Sequence, residues 1–79
     1  MIKVQRHARN NMRLYSISMD ELLLAINSPD VIEPEGDKIV SVKRFQNRFS
    51  EYPLKVVYCK QGDDISVITT YPLKKKYMR

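Results

Sequence analysis

The sequence predicts an α+β domain, with two N-terminal helices packed on a three- to four-stranded, mainly antiparallel sheet. Three observations lead there. Two runs rich in β-branched and aromatic residues, one opening at Leu54 and one at Ile65, flank the polar stretch Gln61-Gly62-Asp63-Asp64, which is a hairpin signature. Ser18-Met19-Asp20-Glu21 stands at the head of an apolar run and reads as a capping box. The segments with helical spacing all precede the segments with strand alternation.

Taken in order, residues 2–6 are short and mixed in character. From Arg6 to Leu14, the spacing of Val4, Ala8 and Met12 suits one face of a helix, with His7 and Arg13 near its edges. Asn10 and Asn11 weaken that helix, because asparagine competes for backbone hydrogen bonds. Ser18 caps the second helix; its oxygen is placed to accept from the Glu21 amide while the Glu21 side chain reaches back. Ile17 and Leu22 sit where a hydrophobic staple closes the turn, and Leu22, Leu23 and Ile26 supply the core face. Asn27-Ser28-Pro29-Asp30 is a stop and a turn. Val31 to Glu35 reads as a short strand that Pro34 confines to an edge or a strand end. Lys38 to Phe45 follows after the turn at Gly36, with Val40 and Val42 on one face and Ile39, Ser41, Lys43 and Phe45 on the other. Residues 46–53 form a polar loop carrying Phe49 and Tyr52, which are placed to cover one side of the sheet. In the hairpin, Leu54, Val56 and Tyr58 share one face, and Ile65, Val67, Thr69 and Tyr71 share a face of the second strand. The tail after Pro72 has no periodicity.

At 79 residues the chain is one domain, 1–79, with a limited core and no visible staple. Its single cysteine, Cys59, excludes an intrachain disulfide and reads as a small core residue of a strand. A cytoplasmic location fits a chain with no disulfide framework. The longest apolar run, Leu22 to Ile26, is far short of the roughly 20 residues that cross a bilayer, so no membrane segment is expected. No metal site, no glycine-rich phosphate loop and no cofactor is expected either, because one histidine and two glycines supply neither a ligand cluster nor a cradle.

The net charge of +5 is unevenly distributed. Residues 1–14 carry Lys3, Arg6, Arg9 and Arg13 and no acid, whereas residues 15–37 carry acids and no base. Bases dominate again over residues 38–60, and Lys74, Lys75, Lys76 and Arg79 close the chain. Basic segments that meet on one side of a fold attract phosphate, which makes a polyanion the expected partner. Cleavage of RNA needs no metal when the 2′-hydroxyl is the nucleophile. A histidine suits the proton transfers and cations offset the charge on phosphorus.

His7-Ala8-Arg9, Met12-Arg13, Ile17 and the capped helix running to Asn27-Ser28-Pro29-Asp30 resemble domain-of-unknown-function family 4258, as does the closing strand Val67-Ile68-Thr69-Thr70-Tyr71. The resemblance covers roughly residues 5–72. It implies an architecture similar to RelE-like and BrnT-like toxins, and a function as a small metal-independent ribonuclease, free or acting at the ribosome, with an antitoxin protein as partner. By motif, it carries His7 over as the acid/base, Arg9 as a phosphate contact and Thr69 as a hydroxyl on the last strand. Arg13, Lys43, Lys55, Tyr71 and Lys74 join the expected RNA-binding set on charge and strand position. Asn11 departs from the family pattern, where a second arginine is usual, and Ser16 stands where a glycine is common. The alternative is a non-catalytic RNA-binding or protein-interaction module on the same fold, the latter using the strand edge at 31–35. The oligomeric state is left open.

Overall fold

The computed structural model describes residues 1–73. The chain runs β1 (Ile2–Val4), α1 (Arg6–Leu14), α2 (Met19–Asn27), β2 (Val31–Glu35), β3 (Lys38–Lys43), a single helical turn (Phe49–Glu51), β4 (Leu54–Gln61) and β5 (Asp64–Pro72). The strands form one five-stranded sheet in the order β1-β5-β4-β3-β2.

The α+β class stands, but the expected sheet of three or four mainly antiparallel strands behind two N-terminal helices does not. A strand precedes the helices, and it is parallel to its neighbour: Ile2, Lys3 and Val4 lie opposite Ile65, Ser66 and Val67. The reason the sequence hides it is physical. Three residues are too few to show alternation, and β1 is a strand only because β5, far along the chain, offers it an edge. Gln5 N–H donates to the Val67 carbonyl at 3.0 Å as the chain leaves the sheet. The remaining strands form an antiparallel meander from β2 to β5.

Because β1 lies at one edge and β2 at the other, the two helices cross one face of the sheet between them. On that face Ala8, Ile17, Leu22, Ala25 and Ile26 meet Leu54, Val56, Tyr58 and Val67 in one buried cluster. The α2 start is as expected: Glu21 N–H donates to Ser18 Oγ at 3.1 Å and Ser18 N–H donates to Glu21 Oε1 at 2.9 Å. Ile17 and Leu22, the staple residues, are both in the core. On the opposite face Val40, Val42 and Val57 are buried with Val31 and Ile68 packed against them. Pro34 and the exposed Glu33 and Glu35 mark β2, an edge strand whose composition opposes strand addition.

Strand alternation in the hairpin is broken once. Tyr58 lies opposite Val67 but Val57 lies opposite Thr69, so a bulge absorbs Ile68. The expectation that Ile65, Val67, Thr69 and Tyr71 share a face is therefore corrected. Ile65 and Val67 join the helix-side cluster, whereas Tyr71 lies opposite Lys55, in the cross-strand row that continues to Val42. Gly36 and Gly62 take positive φ, 65° and 59°, in the two hairpin turns, where a left-handed residue is required.

Two buried hydroxyls lie along the cross-strand row that continues through Val56, with opposite standing. Thr70 Oγ1 donates to the Lys55 carbonyl at 2.9 Å. Ser41 Oγ is fully buried and has no partner among the described residues. A buried hydroxyl without a partner retains its desolvation cost, so Ser41→Ala raises stability by about 1 kcal/mol. Thr70→Val lowers it by about 1 kcal/mol. Urea denaturation of the two variants, with opposite shifts of the midpoint, checks this assignment.

Candidate nucleic-acid interface

α1 is a nine-residue helix, RHARNNMRL, with no acid anywhere along it. Its inward side is set by Ala8, fully buried, and by Met12, which packs against the core. Residues three and four apart in a helix are neighbours on its surface. Arg6, Arg9 and Arg13 therefore form one row, and all three are exposed. The cap residue Gln5 makes no side-chain bond to the helix start; its amide instead donates to Ser66 Oγ at 2.8 Å. Arginine in the first turn, beside uncapped amide N–H groups, concentrates positive charge at the end of the helix dipole that is already positive.

His7 is exposed too, but it does not stand in that row. Residues two apart in a helix point to nearly opposite sides, about 200° around the axis. His7 and Arg9 are thus directed apart by the helix that joins them. Arg9 Nη2 donates to the Val4 carbonyl at 3.2 Å, along the β1 edge. On the His7 side, one turn on, Asn11 Nδ2 donates to Thr69 Oγ1 at 3.4 Å. Asn11 is thus what ties α1 to the Thr69 hydroxyl.

The other expected contacts lie elsewhere. Lys43 Nζ donates to the Ser28 carbonyl at 3.0 Å, where it satisfies the C-terminal end of α2, and lies 6.0 Å from the Phe45 ring centroid. Lys55 and Tyr71 face each other across β4 and β5, with the ammonium 5.6 Å from the ring centroid. Lys74 lies outside the described residues. Cys59, expected in the core, is a half-buried free thiol lining an open groove with Lys3, Gln5 and Ser66. Among the described residues no group of His, Cys, Asp and Glu gathers to hold a metal ion, and no helix is long and apolar enough to cross a membrane.

Among the described residues, the ion pair that shifts a carboxyl furthest involves a residue outside the expected set. Arg48 grips Glu21 with two bonds, Nε to Oε2 at 2.5 Å and Nη2 to Oε1 at 2.8 Å, and also donates to the Ser16 carbonyl at 2.7 Å. The loop after β3 is thereby clamped onto the start of α2. The Arg48 guanidinium, helped by the Ser18 amide, holds the Glu21 carboxyl down at about 2. The signal for Arg48 in the sequence is thin: an arginine in a polar loop, with no spacing relation to Glu21.

Comparison with protein-family models, with curated proteins and with solved structures finds no match for this chain.

The clamp has a pH signature. A carboxyl held below its ordinary value stabilises the fold above about pH 4.5 and loses that contribution as pH falls toward about 2. Arg48→Ala therefore lowers stability at neutral pH, by an amount that solvent around the exposed guanidinium keeps modest. The gap between native and variant closes over the acid range. Urea midpoints measured from neutral pH down into the acid range test this; a gap that stays constant contradicts the clamp.

Proposed function

We propose that this chain binds RNA, holding its phosphates on the exposed arginine row of α1. The observation that carries the reading is the row itself: Arg6, Arg9 and Arg13 on the solvent side of a helix that has no acid. Nothing in the core requires these residues, and Arg6, in the first turn, works against the dipole of α1, although Arg13 in the last turn suits it. Such a cost is retained where a surface serves binding. Arginine offers a planar fork of N–H donors to phosphate oxygens, and the free amides at the helix start add to the attraction.

A second reading, cleavage, is favoured by one observation. His7 is exposed one helical turn from the contact between Asn11 and Thr69. In that reaction His7 takes the proton of a 2′-hydroxyl, the 2′-oxygen bonds to phosphorus, and the bond from phosphorus to the 5′-oxygen breaks. The departing 5′-oxygen then takes a proton from solvent water, and the products are a 2′,3′-cyclic phosphate and a free 5′-hydroxyl. An acidic partner segment covering the arginine row would silence both activities.

Binding to a short oligoribonucleotide, followed by fluorescence anisotropy across a salt series, tests the first reading. Each of Arg6→Ala, Arg9→Ala and Arg13→Ala weakens binding and makes its salt dependence shallower, by about 0.7 in slope for each phosphate that is no longer neutralised. Variants that bind as the native chain does, with the same salt slope, overturn it. Incubation of mixed RNA with native protein and with His7→Ala in EDTA tests the second. It expects cyclic-phosphate ends that disappear in the variant; intact RNA in both leaves the chain a binder.

A further inference from the structure

A cavity of about 310 Å³ opens where the end of α1 meets the loop between β3 and β4, lined by Tyr15, Phe49, Ser50, Tyr52 and Pro72. Its described lining presents three aromatic rings and no charged side chain. Tyr52 is 38% exposed, so this ring is not consumed by the core. The side-chain hydroxyls of Tyr15, Ser50 and Tyr52 bond to no other described residue. Phe49 meets Phe45 edge to face at 6.0 Å, which steadies one wall.

The backbone that builds this wall is strained. Phe49, Ser50 and Glu51 take φ of 54°, 53° and 67°, three successive non-glycine residues in the left-handed region. The surroundings hold them there. Glu51 N–H donates to the Arg48 carbonyl at 2.9 Å, Tyr52 N–H donates to the Phe49 carbonyl at 2.9 Å, and Asn47 N–H donates to Glu51 Oε2 at 3.1 Å. Arg48, clamped on Glu21, lies with its guanidinium 4.4 Å from the Phe49 ring centroid. Strain over-determined in this way concentrates at ligand sites.

Charge around the slot favours one kind of occupant. Arg48 and Glu21 offset each other, Glu51 is engaged by the Asn47 N–H, and Arg13 brings the arginine row to within two residues of Tyr15. A neutral aromatic slot with hydroxyls at hand, next to a cationic helix, matches a planar, hydrogen-bonding ring that carries phosphate. An aliphatic side chain would use the apolar walls and leave the hydroxyls idle.

We propose that the slot between Tyr15, Phe49 and Tyr52 takes one unpaired base of the bound RNA, so that the chain selects single-stranded over duplex RNA. Stacking of a base on aromatic rings is tolerant of sequence, because every base has a flat face. The proposal rests on the RNA reading above and adds to it the class of RNA.

The test compares native protein, Tyr52→Leu, Tyr15→Leu and Arg9→Ala on a short oligouridylate and on an RNA duplex of the same length, at low salt. Circular dichroism confirms folding; Tyr52→Leu, at a partly exposed site, is the variant that keeps the test valid if Tyr15→Leu does not fold. The expected result is a loss of about 5- to 100-fold on the single strand with either tyrosine variant, duplex binding unaltered, and an unaltered salt slope. Arg9→Ala instead weakens both ligands together. Tyrosine variants that bind the single strand as the native chain does, while Arg9→Ala weakens it, overturn the base slot and leave the arginine row in place. Loss of single-strand and duplex binding in equal measure also overturns it, since a duplex has no free base to insert. Absence of RNA binding by the native chain overturns both readings. Self-association of the native chain that Tyr52→Leu abolishes, with RNA affinity unchanged, makes the slot an interface between copies and overturns it as a base site.

Discussion

The parallel pairing of Ile2, Lys3 and Val4 with Ile65, Ser66 and Val67 is the constraint on which the rest of this fold depends. It puts the first strand at one edge of the sheet while the meander delivers β2 to the other. The chain between those edges has to cross the sheet, and it does so as α1 and α2 over a single face. That crossing buries Ala8, Leu22, Ala25 and Ile26 against Leu54, Val56 and Val67. It also fixes α1 by its inner side, so the outer side is free to carry charge. A nine-residue helix rich in asparagine and arginine has little stability of its own. α1 exists because the sheet holds Val4, Ala8 and Met12 in place.

The second fixture is the Arg48 clamp. α2 begins with a self-sufficient capping box, yet Glu21 does two things at once. It closes that box on Ser18 and it receives Arg48 from the loop after β3. The loop thus acquires a fixed point at its start, and the left-handed residues that follow are held between that point and the beginning of β4. A polar contact at the helix start therefore shapes an aromatic cavity some residues away. Lys43 anchors the other end of α2 through the Ser28 carbonyl, so both ends of this helix are tied to the meander.

Much of this is legible in the residues. The limits of α1 and β2, the capping box, the staple and the hairpin follow from local rules, because each depends on neighbours within a few positions. What is not legible is non-local or turns on geometry. β1 is three residues whose strand character comes from a distant partner. The bulge at Ile68 reverses which side Tyr71 occupies, and alternation counted along the sequence has no means of sensing it. His7 and Arg9 read as one motif, but a helix turns them to opposite sides. The arginines of α1 are visible as charge; that they stand in one outward row depends on the helix and on what it buries. Phe49 and Tyr52 read as cover for the sheet; that they line a slot depends on three residues adopting a backbone that nothing in their identity favours.

The electrostatics of α1 and the aromatic slot together make a simple account. Positive charge that the fold does not need is displayed on a helix that it does need, and the helix runs into a neutral cavity built at some conformational cost. The most direct measurement is a nitrogen–proton NMR titration of the labelled chain with a short single-stranded oligoribonucleotide. The account predicts that the amide and guanidinium signals of Arg6, Arg9 and Arg13 move first and furthest, with those of Tyr15 and residues 49–52 moving alongside them, while the hairpin turn at Gly36 stays still. Shifts confined to Lys55, Tyr71 and the valine face of the sheet, with α1 unmoved, would contradict it.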